Sequence, residues 1–275
     1  MAAGRRNRPP ARLERIAGRG LFGADPAAYD RARPDYPRWV FDALRARCGL
    51  AQGARVLEIG AGTGKATGAL LARGADPLVA VEPDPRLAAF LRTRFAGHAV
   101  SVIAEPFETA ELGGRQFDLA VCATAFHWLD EDASLARIAD LLRPGGWWAA
   151  LWNVFGDPER DDAFHDATLA LLAPLPPLRS PSAGEGGLPF ALDEQRRRRA
   201  LARAAAFEPA WHRRRSWTLT LDPDQTVALY ATYSNIAARP DRVEVLAELR
   251  RIAAEGFPRG VTRNMITSLF LARRR

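Results

Sequence analysis

The residues with the clearest chemical potential form one segment, Val56-Leu57-Glu58-Ile59-Gly60-Ala61-Gly62-Thr63-Gly64-Lys65. An apolar strand-like run enters a glycine loop, and a helical pattern begins beyond it. Glycines permit a tight turn and let a ligand approach the backbone, while the helix start leaves N–H groups free to bind it. The spacing separates this loop from similar ones. A dinucleotide fingerprint has glycine at the first, third and sixth positions, but the sixth here is Lys65. A Walker loop requires Gly-Lys-Ser/Thr, but Ala66 follows the lysine. Glu58, inside the strand, would repel a pyrophosphate and suits a ligand carrying ammonium and sulfonium groups. A glycine turn without any ligand is the plain alternative.

The next group weighs against that alternative. In Val79-Ala80-Val81-Glu82-Pro83-Asp84, Glu82 ends a second apolar run, 20 residues after Gly62. A carboxylate placed there can accept both hydroxyls of a ribose, and Asp84 is the better candidate to cap the helix opening at Pro85. The third group is Phe126-His127-Trp128, just beyond another apolar run. His127 has the side-chain type for general base work near neutral pH, and the alternative is a histidine packed between two aromatic rings for shape.

Alternating elements must position these groups. Strands are expected at Arg55–Ile59, Pro77–Val81, Ala99–Ile103, Leu119–Ala123 and Trp147–Trp152, with helices near Ala66–Arg73, Pro85–Arg94 and Ala133–Leu142 between them. Such alternation implies a parallel sheet with helical crossovers, in which ligands bind at the C-terminal strand edge. Ahead of it, residues 25–50 show a helical face of Trp39, Val40, Ala43 and Leu44. Beyond Asn153 the texture changes. Residues 158–173 read as helix, Pro174 to Phe190 as a mobile Pro/Gly/Ser-rich loop, and Gln195–Ala206 as helix. A strand at Trp211–Leu221, helices at Gln225–Ala237 and Arg242–Ala254, and a strand at Met265–Ala272 complete the chain.

The chain has 275 residues, 48% hydrophobic and 26% charged, ordinary for a soluble globular protein. The formal charge is +7, but residues 1–20 contribute +5 and the final three arginines +3, leaving about −1 on the body. A near-neutral body is a poor footprint for nucleic acid. Lys65 is the single lysine, which points to codon usage. Residues 1–20 read as a disordered basic tail without the apolar core of a signal peptide, and no stretch reaches membrane-span length, so a cytoplasmic location is the default. Cys48 and Cys122 lack metal-ligand spacing, and no metal site is expected. The runs Arg196–Arg199 and Arg213–Arg215 read as solvated faces.

Taken in order, the motifs resemble class I S-adenosylmethionine-dependent methyltransferases, in particular the group with a methyltransferase type 11 domain acting on small molecules. The likeness is strong over residues 22–152 and loose beyond. Glu58-x-Gly60-x-Gly62-x-Gly64 resembles the first motif, which would place Glu58, Gly60, Ala61, Gly62, Thr63 and Gly64 on the cofactor's methionine part. Glu82 and Pro83 are similar to its ribose site. Ala104-Glu105-Pro106-Phe107-Glu108 occupies the adenine position, where many relatives have Asp. Phe117-Asp118-Leu119-Ala120-Val121 through His127-Trp128 resembles the fourth motif, which brings in Ala123 and Thr124. Leu142-Arg143-Pro144-Gly145-Gly146 is similar to the turn before the fifth strand. Phe22-Gly23 and Tyr29 to Pro37 resemble the segment covering the cofactor, with Tyr29 and Arg33 as a clamp for its carboxylate.

The resemblance implies a Rossmann-like α/β fold: a seven-stranded, mostly parallel sheet with an antiparallel last strand, helices on both faces, and a helical lid insertion. The expected division is a cofactor-binding half at 21–152, a lid at 153–206 and closing strands and helices at 207–275. The implied cofactor is S-adenosyl-L-methionine and the implied partner a small-molecule methyl acceptor, with His127, Trp128, Trp152, Asn153 and Tyr233 toward the acceptor. Two other functions compete. Nucleic-acid methylation on exocyclic amines typically uses Asn/Asp-Pro-Pro-Tyr/Phe after the fourth strand, where this chain has Ala123-Thr124-Ala125-Phe126. A non-catalytic cofactor-binding module would share the glycine loop and Glu82.

Overall fold

The computed structural model describes residues 20–114, 116–173, 181–183 and 188–275. The basic tail, apart from Gly20, and most of the Pro/Gly/Ser-rich loop lie outside the described residues. Seven strands form one sheet in the order β3-β2-β1-β4-β5-β7-β6. They are β1 (Ala54–Ile59), β2 (Ala75–Val81), β3 (Val100–Ile103), β4 (Phe117–Ala123), β5 (Leu142–Phe155), β6 (Trp211–Leu221) and β7 (Val261–Arg273). The pairs β1–β2, β1–β4, β2–β3 and β4–β5 are parallel. Strand β7 runs antiparallel to both β5 and β6. The sheet is therefore the expected seven-stranded, mostly parallel one.

Strand periodicity sorts the core into two faces. Val56 of β1 and Ala149 and Leu151 of β5 lie with Val40, Phe41 and Leu44 of α2 (Arg38–Cys48) and with Leu70 of α3 (Lys65–Leu71). On the other face Leu57, Ile59, Trp148 and Trp152 meet Leu135 and Ile138 of α5 (Glu131–Leu141) and Ala200 of α7 (Glu194–Arg203). Helix α4 (Pro85–Arg94) is capped by Asp84, as expected. A third cluster joins α6 (Ala163–Leu172), α8 (Pro223–Ala231), α9 (Ser234–Ala237) and α10 (Arg242–Gly256) to Val261 at the start of β7. The short helix α1 (Pro26–Ala32) precedes α2.

Three local expectations are corrected. Strand β5 begins at Leu142, immediately after α5, because Pro144-Gly145-Gly146 continues the strand: Gly145, at φ +75°, donates its N–H to the Arg274 carbonyl. The predicted helix Gln225–Ala237 divides into α8 and α9, separated by Thr232 and Tyr233. The solvated face assigned to Arg196–Arg199 fails at Arg197, which is buried, because helical rotation points one of the four inward.

Candidate functional site

One cavity of about 390 Å³ opens at the C-terminal edge of the sheet. The strand ends Ile59, Val81, Ala123 and Asn153 line it, as do α1, the glycine loop and the α8–α9 junction. Three glycines of the loop have positive φ, and they do different work. A Cβ on Gly60 would sit 2.6 Å from Ala125 Cβ, and one on Gly64 would sit 2.4 Å from the Phe95 ring. These two are small because protein fills the neighbouring space. A Cβ on Gly62 would meet nothing within 4 Å, and Gly62 lines the cavity. That cradle is shaped for an occupant other than the protein.

Two carboxylates stand behind the loop. Glu82 accepts from the Gly62 N–H at 2.8 Å and from the Asp84 N–H at 3.0 Å, so it braces the loop against β2. Glu58 is buried; its Oε2 accepts from Thr67 Oγ1 at 2.6 Å, while Oε1 is enclosed without a partner. Burial pushes the Glu58 carboxyl up from 4.5 to about 8, with the nearby Glu82 charge acting in the same direction. An ammonium group at Oε1 would satisfy the orphan atom and restore the charge. The residues present thus fit a cationic, amino-acid-like ligand on the Gly62 side.

The segment before α2 is strapped across the cavity. Tyr36 donates to Thr124 Oγ1 at 2.8 Å, and Asn153 Nδ2 donates to the Asp35 carbonyl at 3.2 Å. Thr124 holds φ +56°, left-handed for a residue with a Cβ, and its N–H donates to the Leu151 carbonyl. Such strain persists where surrounding contacts over-determine the backbone. Lys65, at the start of α3, pairs with Asp35 at 2.9 Å and Asp30 at 3.8 Å; Arg94 also reaches Asp30 at 2.6 Å. Arg33 donates to Thr232 Oγ1 and to the Thr232 carbonyl, and its guanidinium lies 5.0–5.3 Å from the ring centroids of Tyr29, Phe155 and Tyr233.

His127 sits in a short 3-10 turn, Phe126–Trp128, after β4. The Trp152 indole N–H can only donate, and it points at His127 Nδ1 across 3.2 Å. The neutral ring therefore carries its proton on Nε2. Burial pushes the imidazole down to about 3, and the Arg33 charge adds to that. This environment opposes proton uptake, and the neutral ring has its Nε2–H left to donate.

Among the expected site residues, the cavity gathers Tyr29, Arg33, Glu58, Gly60, Ala61, Gly62, Thr63, Glu82, Pro83, Phe107, Ala123, Thr124, His127, Trp128, Trp152, Asn153 and Tyr233. It does not gather Gly64, which faces Phe95 and Leu91, nor Glu105 and Pro106, which are exposed beyond β3. Only Phe107 of that trio turns inward. Sequence reasoning missed Tyr36, Lys65, Phe155 and Phe190 as lining residues. Tyr36 and Lys65 stood inside quoted motifs; Phe155 and Phe190 carried no local signal. Cys48 and Cys122 are both buried, and the described residues contain no cluster able to hold a metal. No helix among them is long and apolar enough to cross a membrane.

A doubly wound sheet with a glycine loop at its first crossover and an acid ending its second strand defines a Rossmann-like nucleoside-binding fold. Comparison with known proteins makes it more specific: residues 56–146 match the methyltransferase domain family. An uncharacterised methyltransferase of Mycobacterium tuberculosis is 38% identical over 132 residues, covering 48% of this chain and 51% of the relative. The chain thus spans about half the length of the curated relatives it matches. Among solved structures, one described as a type II methyltransferase from Anaeromyxobacter dehalogenans has a TM-score of 0.60 at 24% identity, over 88% of this chain and 97% of that one. A phosphoethanolamine N-methyltransferase of Haemonchus contortus, in complex with S-adenosyl-L-methionine, has a TM-score of 0.54 at 13% identity, covering 92% and 57%. At these identities the structures speak to the fold. Residues 56–146 thus carry the sequence signature of the methyltransferase domain family.

Proposed function

We propose that this protein transfers a methyl group from S-adenosyl-L-methionine to a small-molecule acceptor. The observation that carries this is the Gly62 cradle facing the cavity, with the orphan Glu58 Oε1 behind it. Glu58 and the open cradle at Gly62 would hold the cofactor's amino-acid part, Arg33 and Tyr29 its carboxylate, and Glu82 its ribose. When bound, the cofactor supplies an electrophilic methyl on a sulfonium. The protein's part is alignment and exclusion of water, which can carry much of such a displacement. The strap across the cavity supplies both, and His127 orients the acceptor as a donor.

The acceptor is read as small because the cavity, about 390 Å³ and partly enclosed by Tyr36 and Asn153, has the size of a small-ligand pocket. The test is methyl transfer from isotope-labelled S-adenosyl-L-methionine into a metabolite extract, run beside total RNA and DNA. Label entering a small-molecule fraction supports the proposal. Label entering only nucleic acid, or demethylated cofactor released at the same rate without any extract, contradicts it.

A further inference from the structure

One part of the cavity is walled by rings. Trp128 and His127 have centroids 5.5 Å apart, His127 and Phe190 6.2 Å, and Phe190 and Trp152 5.8 Å. Phe22 extends the wall, 5.7 Å from Trp128. The acids lining the cavity among the described residues are Glu58 and Glu82, both engaged at the loop end. No carboxylate among these residues faces the rings, so a cationic acceptor has no counter-charge there.

Two arginines already use the aromatic faces. Arg33 sits among Tyr29, Phe155 and Tyr233. Arg197, on α7, lies 3.5 Å from the Phe190 ring centroid and donates to the Phe190 carbonyl at 3.3 Å. A cation behind Phe190 opposes binding of a second one in front of it. The remaining complement is a flat, uncharged or anionic π system presenting an oxygen to the His127 donor.

Arg197 owes its place to Glu131, whose Oε1 lies 3.0 Å from Arg197 Nε, with the Arg197 side chain only 5% exposed. Glu131 opens α5, which packs on the sheet, whereas Arg197 belongs to α7, between β5 and β6. The pair thus ties α7 to α5 beside Phe190, which lines the cavity. Burying an ion pair gives little net stability, so positioning is the better account of it.

Building on the methyl-transfer reading, we infer that the acceptor is a planar unsaturated or aromatic molecule, and that Arg197 is a positioning residue that holds one wall of its slot through Phe190. The test uses the full chain saturated with S-adenosylhomocysteine, with 7-hydroxycoumarin and 2-naphthoate as planar probes, and follows tryptophan quenching with tetramethylammonium as competitor. At least one probe should bind, and tetramethylammonium should not displace it. Arg197→Met and Phe190→Ala should each weaken the probe roughly fivefold, the order expected for one lost aromatic contact. The double variant should be no worse than Phe190→Ala, and affinity for S-adenosylhomocysteine should hold throughout. Arg197→Lys, which keeps the charge but not the planar stack, should fall between Arg197→Met and the parent. Additive losses, parallel loss of S-adenosylhomocysteine, displacement by tetramethylammonium, or no binding of either probe would overturn the inference. Failure of the parent chain to bind S-adenosylhomocysteine would instead sink the methyl-transfer reading beneath it.

Discussion

Replacing Glu58 by glutamine should stabilise the cofactor-free protein and weaken the cofactor. The carboxyl is buried at 1% exposure, and its folded pKa rises from 4.5 to about 8. The unfolded chain loses this proton as pH passes 4.5, while the folded chain keeps it until about 8. A raised folded pKa means that the stability is fully present below pH 4.5 and is lost as pH climbs to 8. Proton linkage over that interval amounts to about 3 kcal/mol at pH 7. The amide of Glu58→Gln would be neutral throughout and can still accept from Thr67, so the variant should gain on the parent steadily from pH 5 to 8 and melt several degrees higher at pH 7. Cofactor binding should behave oppositely. An ammonium at Oε1 would ionise Glu58, so the parent should release close to one proton per bound S-adenosylhomocysteine near pH 7. The variant should release none and bind about tenfold or more weakly, the scale of a lost charge-assisted hydrogen bond. Thermal melts across pH, with calorimetry in buffers of different ionisation heat, read both effects. A variant that is less stable at every pH, or that binds S-adenosylhomocysteine with unchanged affinity and proton balance, would refute the role assigned to Glu58.

Other substitutions separate the loop, the histidine and the strap. Gly62→Ala should cost roughly 1 kcal/mol of stability for its left-handed backbone but much more in cofactor affinity, whereas Gly60→Ala, blocked by Ala125, should mainly lower the melting temperature. Because His127 is depressed to about 3, its ring should remain the neutral Nε2–H tautomer from pH 8 to 5 by nitrogen NMR; the stability it contributes is present above pH 6.5 and lost as pH falls toward 3. Titration of His127 near pH 6.5 would contradict this. Lys65→Met should speed cofactor release by up to about fivefold, the scale of exposed ion pairs, with the gap from the parent closing at high salt; stopped-flow displacement measures it.

Buried parallel strands are nearly continuous apolar runs, which is why β1, β2 and β4 were legible from the sequence, and the glycine spacing marked their first crossover. Less legible was whatever depends on rotation or on distant chain. The four arginines at 196–199 look alike in composition; only the turn of α7 over Phe190 decides that Arg197 is buried. Glu105 and Pro106 occupy the expected motif position, yet the chain leaves β3 with them outward and Phe107 inward. Gly145 reads as a helix stop and is also a bend within β5, because its N–H pairs with Arg274 near the far end of the chain. His127 had the right type and place for a base; the indole of Trp152, 25 residues on, sets its tautomer.

The most direct test of the central claim is calorimetric titration of the full chain with S-adenosyl-L-methionine, S-adenosylhomocysteine and NAD, beside Gly62→Ala. The loop spacing, the open cradle at Gly62 and the orphan Glu58 oxygen predict one-to-one binding of both adenosyl compounds, no useful binding of NAD, and a marked loss in the variant. Binding of NAD with no heat from either adenosyl compound, or adenosyl binding indifferent to Gly62→Ala, would contradict the account.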